Sequence, residues 1–390
     1  MDKFSSVVLS ESEINHTKRK WRNFVLTIPD YPINKYFGKG IVSSASSGFN
    51  RYGRLIASIK LLRWLKCRLP VEIFMYRGEL KVHEIREFQS IANVTVHVLT
   101  YNITLASRQH SPYAIKLGAI LQSSFEHILW LDSDNIAVRD PEYLFDLPHY
   151  TRSTAMFWPD FWATPRKNPI WKILDIPCRA EDYEQESGQI LINKRLAWKA
   201  INLALYFTSD QTFLRVSLGD KDACRYSWKA LGTPSYFIRK FLAQAGFDYA
   251  KSGDKNNPKR NVKFCGHTMI QYDPFGEILF LHANLVKTYP SFQFPIEKNH
   301  RSLKKYKNPW RVYRRYANSA PYFRPRAIHE HGFSCMTLAT DNHEYLAPFL
   351  DDDFHKHISV NITSQYLSYV HGSIIKSRGN PRFDIIDRNW

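Results

Sequence analysis

The residues able to do chemistry in this sequence are acids and a histidine set at the ends of apolar runs. The run Ile128-Leu-Trp-Leu131 passes directly into Asp132-Ser133-Asp134. Apolar residues followed at once by carboxylates are how an α/β sheet presents acids at the carboxyl edge of a strand, where ligands bind. Two aspartates one residue apart at such an edge can share one hard cation, whose remaining positions are open to a diphosphate. Two other Asp-x-Asp triplets occur, Asp220-x-Asp222 and Asp351-x-Asp353, but neither follows a buried-type strand. A turn or a helix cap explains most such triplets. The strand before Asp132 and the Asn135-Ile136 to Asp140-Pro141 stretch after Asp134 set the first one apart, with Pro141 suited to open a short helix. Asp351-x-Asp353 lies in an acidic run and reads as solvated surface.

A second apolar run, Ile278 to Leu281, ends in His282, with Asn284 and Lys287 behind it. A histidine at a strand end beside two aspartates would complete a cation site, and Lys287 could hold a phosphate; the plain alternative is a structural histidine. Glu186, Ser187 and Gln189 precede the apolar run Ile190 to Ile192 and so fall at another strand edge. Asp220 and Asp222 sit at a helix start, where one can serve as the cap and leave the other for a substrate. Lys116 could reach a phosphate at the sheet mouth, against the alternative of an ordinary exposed lysine. Ser43 and Ser44 open a small-residue loop, up to Gly48, through which backbone amides could approach a ligand.

The elements that must position these groups follow from apolar spacing. A short strand at Ile41-Val42 precedes an amphipathic helix over 54–65, with Leu55, Ile59, Leu62 and Leu65 on one face. Strands follow at 69–76 and 94–99, and a helix over 113–123 feeds the central strand at Ile128. Strand, helix, strand at this spacing implies parallel pairing with right-handed crossovers. Residues 1–37 are polar and charged and read as a lead-in rather than core. Of the aromatic patch Phe157, Trp158, Phe161 and Trp162, two are expected in the core. The others would offer flat faces to sugars. A helix is expected to begin near Lys194.

At 390 residues the chain fits one large α/β domain or two smaller ones. A hydrophobic share of 44% excludes wholesale disorder. The net charge of +18 favours anionic partners. No zinc-finger spacing or RNA-binding aromatic signature accompanies it, so nucleic acid is not the expected partner. The five cysteines show no metal-ligand spacing, and their odd number leaves at least one free thiol. Asn-x-Thr triplets at Asn15, Asn93, Asn102 and Asn361 permit a secretory location. No apolar run approaches the ~20 residues that span a bilayer, and no signal peptide is visible at Met1.

Six blocks together, Gly38–Ser44, Leu69–Phe74, Trp130–Phe145, Glu186–Lys194, Gly219–Trp228 and Met269–Lys287, resemble the fungal-type α-mannosyltransferases that extend Golgi mannan chains. The resemblance implies a GT-A fold, with a Rossmann-like mixed central sheet flanked by helices. It implies GDP-mannose as donor, a mannosylated glycan as acceptor, manganese or another divalent cation, and retention at the anomeric carbon. It further implies the Golgi lumen and a type II anchor, which this sequence does not show. The expected layout is a lead-in over 1–37, a catalytic domain over 38–290 and a C-terminal extension over 291–390. On this reading Asp132, Asp134 and His282 hold the metal. Ser43, Ser44, Lys116, Ser133 and Lys287 join Asp132 and Asp134 around the donor, and Glu186, Gln189, Asp220 and Asp222 are candidates to orient donor sugar and acceptor hydroxyl. Three rivals remain: a GT-A enzyme using a UDP-sugar of glucose, galactose or N-acetylglucosamine; a carbohydrate-binding protein, which would not need acids at two strand mouths; and a nucleic-acid-binding protein, which would bind with steep salt dependence.

Overall fold

The computed structural model describes residues 7–100, 113–178, 182–217, 219–250, 262–285, 309–316, 324–330, 333–339 and 346–378. The first half of the chain builds β1 (Lys39–Ser44), β2 (Val71–Met75), β3 (Val94–Val98), β4 (His127–Leu131), β5 (Asn135–Ala137), β6 (Ala155–Ala163) and β7 (Tyr183–Asn193). The second half adds β8 (Tyr236–Phe237), β9 (Ala243–Ala250), β10 (Val262–Tyr272), β11 (Ile278–His282), β12 (Val312–Tyr316), β13 (Arg324–Glu330), β14 (Phe333–Ala339) and β15 (Phe349–Asp353).

A seven-stranded sheet runs in the order β3-β2-β1-β4-β7-β6-β8. Strands β3, β2, β1 and β4 pair in parallel, whereas β7 is antiparallel to both β4 and β6. The helices Arg54–Trp64, Val82–Gln89 and Ile115–Gln122 link the parallel strands. This is the mixed central sheet flanked by helices expected of a GT-A fold. The two-residue period of β4 divides its side chains between two cores. Ile128 and Trp130 join Leu117, Ile120 and Trp228 on one face, while Leu129 and Leu131 join Leu55, Ile59 and Ile73 on the other.

A second sheet is ordered β13-β14-β10-β9-β12-β15, with β11 on β10 and β5 on β11. The short β5 begins one residue after Asp134 and pairs antiparallel with β11, in register Asn135↔His282. That pairing carries the histidine to the aspartates. The C-terminal helix Val360–Arg378 packs on the helix Arg54–Trp64, and a disulfide between Cys265 and Cys335 ties β10 to β14. Cys67, Cys178 and Cys224 are free thiols. No helix among the described residues is long and apolar enough to cross a membrane.

Four sequence expectations are corrected. The segment 1–37 is not a mere lead-in: Glu11–Thr27 is a helix, capped by Ser10 with Glu13, that buries Ile14, Thr17 and Trp21. These fall three and four residues apart, so one narrow face docks while composition stays polar. The Trp21 indole donates to the Ile173 carbonyl at 2.9 Å. The helix expected near Lys194 starts at Trp198, because Asn193 accepts from Leu196 N and forms a turn. Three of the four patch aromatics are buried; only Trp162 is half-exposed. Finally, Glu186, Ser187 and Gln189 lie within β7 rather than at its edge. Since Leu131 is opposite Gln189, the 183–188 half of β7 runs past the end of β4 and alongside Asp132.

Candidate active site and metal centre

Asp132 leaves β4 with its N–H donating to the Gly188 carbonyl at 2.8 Å, and its own carbonyl accepts from Asn135 N at 3.0 Å. The tight turn aims both carboxylates at β11. One ligand atom from each of Asp132, Asp134 and His282 lies within 4.8 Å of the others. His282 Nε2 is 3.1 Å from Asp134 Oδ1, and its Nδ1 is 2.8 Å from Glu186 Oε1. Burial alone would favour the neutral imidazole, but Glu186 and Asp134 outweigh it and hold the His282 pKa well above its ordinary value. Asp132 is raised by burial and by the charges of Asp134 and Asp220, with Lys116 opposing. Burial would raise Glu186, but His282, the Gly188 N–H and Lys116 together hold it below its ordinary value.

Space beside this pair is tight. A Cβ on Gly188 would meet His282 Nδ1 at 2.8 Å and Glu186 Oε1 at 2.9 Å. The Gly188 N–H itself donates to Glu186 Oε1 at 2.6 Å.

Lys116 is buried rather than exposed. Its ammonium lies 2.7 Å from Asp220 Oδ2 and 3.2 Å from Asp132 Oδ1, and donates to Ser187 O and Oγ at 2.8 and 3.0 Å. Burial would lower its pKa, yet the two carboxylates raise it, so it stays charged. The Trp130 indole donates to the same Asp132 oxygen, Oδ1, at 2.6 Å. Asp132 is therefore held by an indole, an ammonium and the backbone turn.

Asp222 and Asp220 divide differently from the expectation, since neither side chain caps the helix Ala223–Leu231. Asp222 occupies the cap position without a side-chain cap bond, and instead accepts from Arg225 Nε at 2.6 Å and Gln185 N at 3.0 Å. Asp220 turns to Lys116. Gln189 Oε1 accepts from Asn135 Nδ2 at 2.5 Å, both residues being buried. Ser43 spends its hydroxyl on the Leu131 carbonyl at 2.6 Å. Ser44 and Ser133 remain half-exposed near the mouth. Lys287 lies outside the described residues.

Two features were not anticipated. Arg54, only 2% exposed, donates from Nη2 to Ala283 O at 2.8 Å, with Nη1 3.9 Å from Asp134 Oδ2. Its helix also carries Lys60 and Arg63, so nothing in the sequence signalled that Arg54 alone of the three would be buried. Further out along β6 and β7, Lys221 bridges Asp160 (2.8 Å) and Glu184. Burial pushes Asp160 up to about 7 despite Lys221, with Glu186 and Glu184 adding to the rise.

The family described as "Mannosyltransferase putative" matches residues 38–176 and 174–273. An alpha-1,2-mannosyltransferase of Candida albicans, MNN21, is 27% identical, the match covering 72% of this chain and 55% of that protein. The alpha-1,2-mannosyltransferase MNN2 of Saccharomyces cerevisiae is 28% identical over 51% of this chain and 40% of its own. The chain thus spans about half the length of these curated relatives. Among solved structures, the galactosyltransferase LgtC with donor and acceptor sugar analogues aligns with a TM-score of 0.38 at 13% identity, over 52% of this chain and 73% of that one.

Proposed function

The chain belongs to the mannosyltransferase family matched over residues 38–273, and from that premise we propose that it moves mannose from GDP-mannose to a mannose-bearing glycan, forming an α-linkage with retention. The observation that carries the reading is the convergence of Asp132, Asp134 and His282 on one point at the carboxyl edge of β4. Two carboxylates and an imidazole suit a manganese-type cation, and close acids that repel one another fit a site for positive charge. Bound there, such a cation supplies Lewis-acid stabilisation to the departing diphosphate.

The chain's own residues do the positioning. Glu186 Oε1 stands 2.8 Å from His282 Nδ1 while Nε2 faces Asp134 at 3.1 Å, so the Glu186 charge steadies a ligating imidazole from its outer side. Trp130 and Lys116 fix Asp132, and Arg54 faces Asp134. Lys116 and Arg54 are fixed positive charges beside the place where negative charge builds as the nucleoside diphosphate leaves. With charge handled this way no protein general acid is needed for the leaving group, unlike in glycosidases. Gln189, held by Asn135, and Asp220, held by Lys116, are assigned to orienting the donor sugar, and Ser44 and Ser133 to the donor phosphates. The catalytic unit extends over 38–290, and the strands β12 to β15 beyond it continue the second sheet. The disulfide suits an oxidising compartment, which supports the Golgi lumen as the place of action.

Asp132→Asn with Asp134→Asn should abolish mannose transfer from GDP-mannose while leaving the circular dichroism spectrum and melting cooperativity intact. Undiminished transfer by that folded double variant would refute the reading.

A further inference from the structure

Three residues before Glu186 on β7, about 10 Å away at ~3.3 Å per residue, Tyr183 lines a separate cleft of about 690 Å³. Its walls are aromatic: Phe241, Tyr316 and Phe349 join Tyr183. The Tyr183 and Phe241 rings lie 4.6 Å apart, tilted by 32°, and Tyr316 stands edge-on to Phe241 at 6.5 Å. Arg239 and Arg315 also line it, and none of the lining residues is acidic. Both arginines are exposed, and among the described residues neither has a carboxylate within ion-pair distance. Lys240, also in the lining, is already spent: its ammonium donates to the Gly276 carbonyl at 2.6 Å and lies 3.9 Å from the centre of the Tyr272 ring.

The Phe349 ring already carries the Arg314 guanidinium at 3.6 Å, which leaves the half-exposed Tyr183 and Phe241 as the aromatic surface beside the two uncompensated guanidinium groups. Guanidinium forks match the oxygens of a phosphoryl group, and flat rings offer an apolar surface to the C–H face of a pyranose. We propose that this cleft is a subsite for a phosphorylated hexose of a glycan chain, its phosphoryl group met by Arg239 and Arg315 and its ring resting on the aromatic wall. The sugar half of this assignment rests on the mannosyltransferase reading; the anion half rests on the arginines. Placed along β7 from the acids, the cleft would select acceptors that carry a phosphate near the growing end.

The test is calorimetric titration of the whole chain with mannose 6-phosphate, mannose, inorganic phosphate and GDP, repeated on Arg239→Gln/Arg315→Gln. Mannose 6-phosphate should bind more tightly than mannose or phosphate, and the double variant should weaken it by at least about tenfold. Both arginines are exposed, so the melting temperature and the manganese-dependent response to GDP should not change. Equal binding of inorganic phosphate, or mannose 6-phosphate binding untouched by the variant, would overturn the proposal. Loss of GDP binding in the variant would also overturn it, by making the cleft part of the nucleotide site. A wild-type chain that binds mannose 6-phosphate but ignores GDP with manganese would count against the donor assignment and leave the anion subsite standing.

Discussion

Gly188→Ala adds one methyl group at the point where β7 passes the His282–Glu186 pair. The backbone there is ordinary strand, so alanine brings no conformational strain and the effect is steric. The new Cβ would stand 2.8 Å from His282 Nδ1 and 2.9 Å from both His282 Cε1 and Glu186 Oε1. Ordinary contacts lie near 3.5 Å, so imidazole or strand must yield by roughly 0.7 Å. The strand is held on one side by the Asp132 N–H to Gly188 O bond of 2.8 Å, which leaves the side chains to move. Overpacking of this kind costs about 1–3 kcal/mol, and disturbing the partner that orients a ligating histidine lowers metal affinity by roughly 10–100-fold. Calorimetric titration of manganese into the variant should show that loss, with a cooperative melt only modestly lowered. Manganese affinity and transfer rate both within twofold of the parent would refute the assignment of Glu186 and His282.

Other perturbations probe different parts of the molecule. Lys116→Met leaves Asp132 and Asp220 facing one another; breaking such a buried pair costs roughly 3–5 kcal/mol, and the urea midpoint should fall accordingly, with partial recovery in Lys116→Met/Asp220→Asn. An unchanged midpoint would deny Lys116 that role. Lys194 is buried, donates to Ser123 O at 2.6 Å, and burial pushes it down to about 7 from 10.5. The unfolded chain holds that proton up to about 10.5 whereas the folded chain releases it above about 7, so stability rises with pH between the two, by at most about 1.4 kcal/mol per pH unit. Lys194→Met should therefore gain most over the parent at pH 6, and the gap should narrow towards pH 10; a gap constant with pH would contradict the burial argument. The Cys265–Cys335 bond closes a separation of 70 residues, for which the chain-entropy estimate is roughly 4 kcal/mol. Reduction should lower the melting temperature clearly, and identical melts with and without reductant would exclude a stabilising disulfide.

Much of the parallel half of the fold was legible, since apolar runs of strand length alternate with helical spacing from Ile41 to Leu131 and set the acids at a strand end. His282 could be picked out for the same local reason. What sequence could not show is pairing at a distance. Nothing near Asn135 announces β11 as its partner, yet that register places the imidazole on the aspartates. Charged residues in the interior were the other blind spot. Arg54 and Lys116 are buried by tertiary contacts with Asp134, Asp132 and Asp220, which composition scores as solvent-facing charge. The helix Glu11–Thr27 was missed because only three of its residues are buried, too few to show above its polar face.

The measurement that bears most directly on the proposed activity is thermal stabilisation by GDP and UDP, and by their sugar conjugates, with and without manganese. A ligand that binds only the folded chain raises its melting temperature. Stabilisation by GDP or GDP-mannose that requires manganese, and vanishes in Asp132→Asn/Asp134→Asn, is the predicted result. Selective stabilisation by a UDP-sugar would contradict the donor assignment, and no response to any nucleotide would contradict the proposed activity altogether.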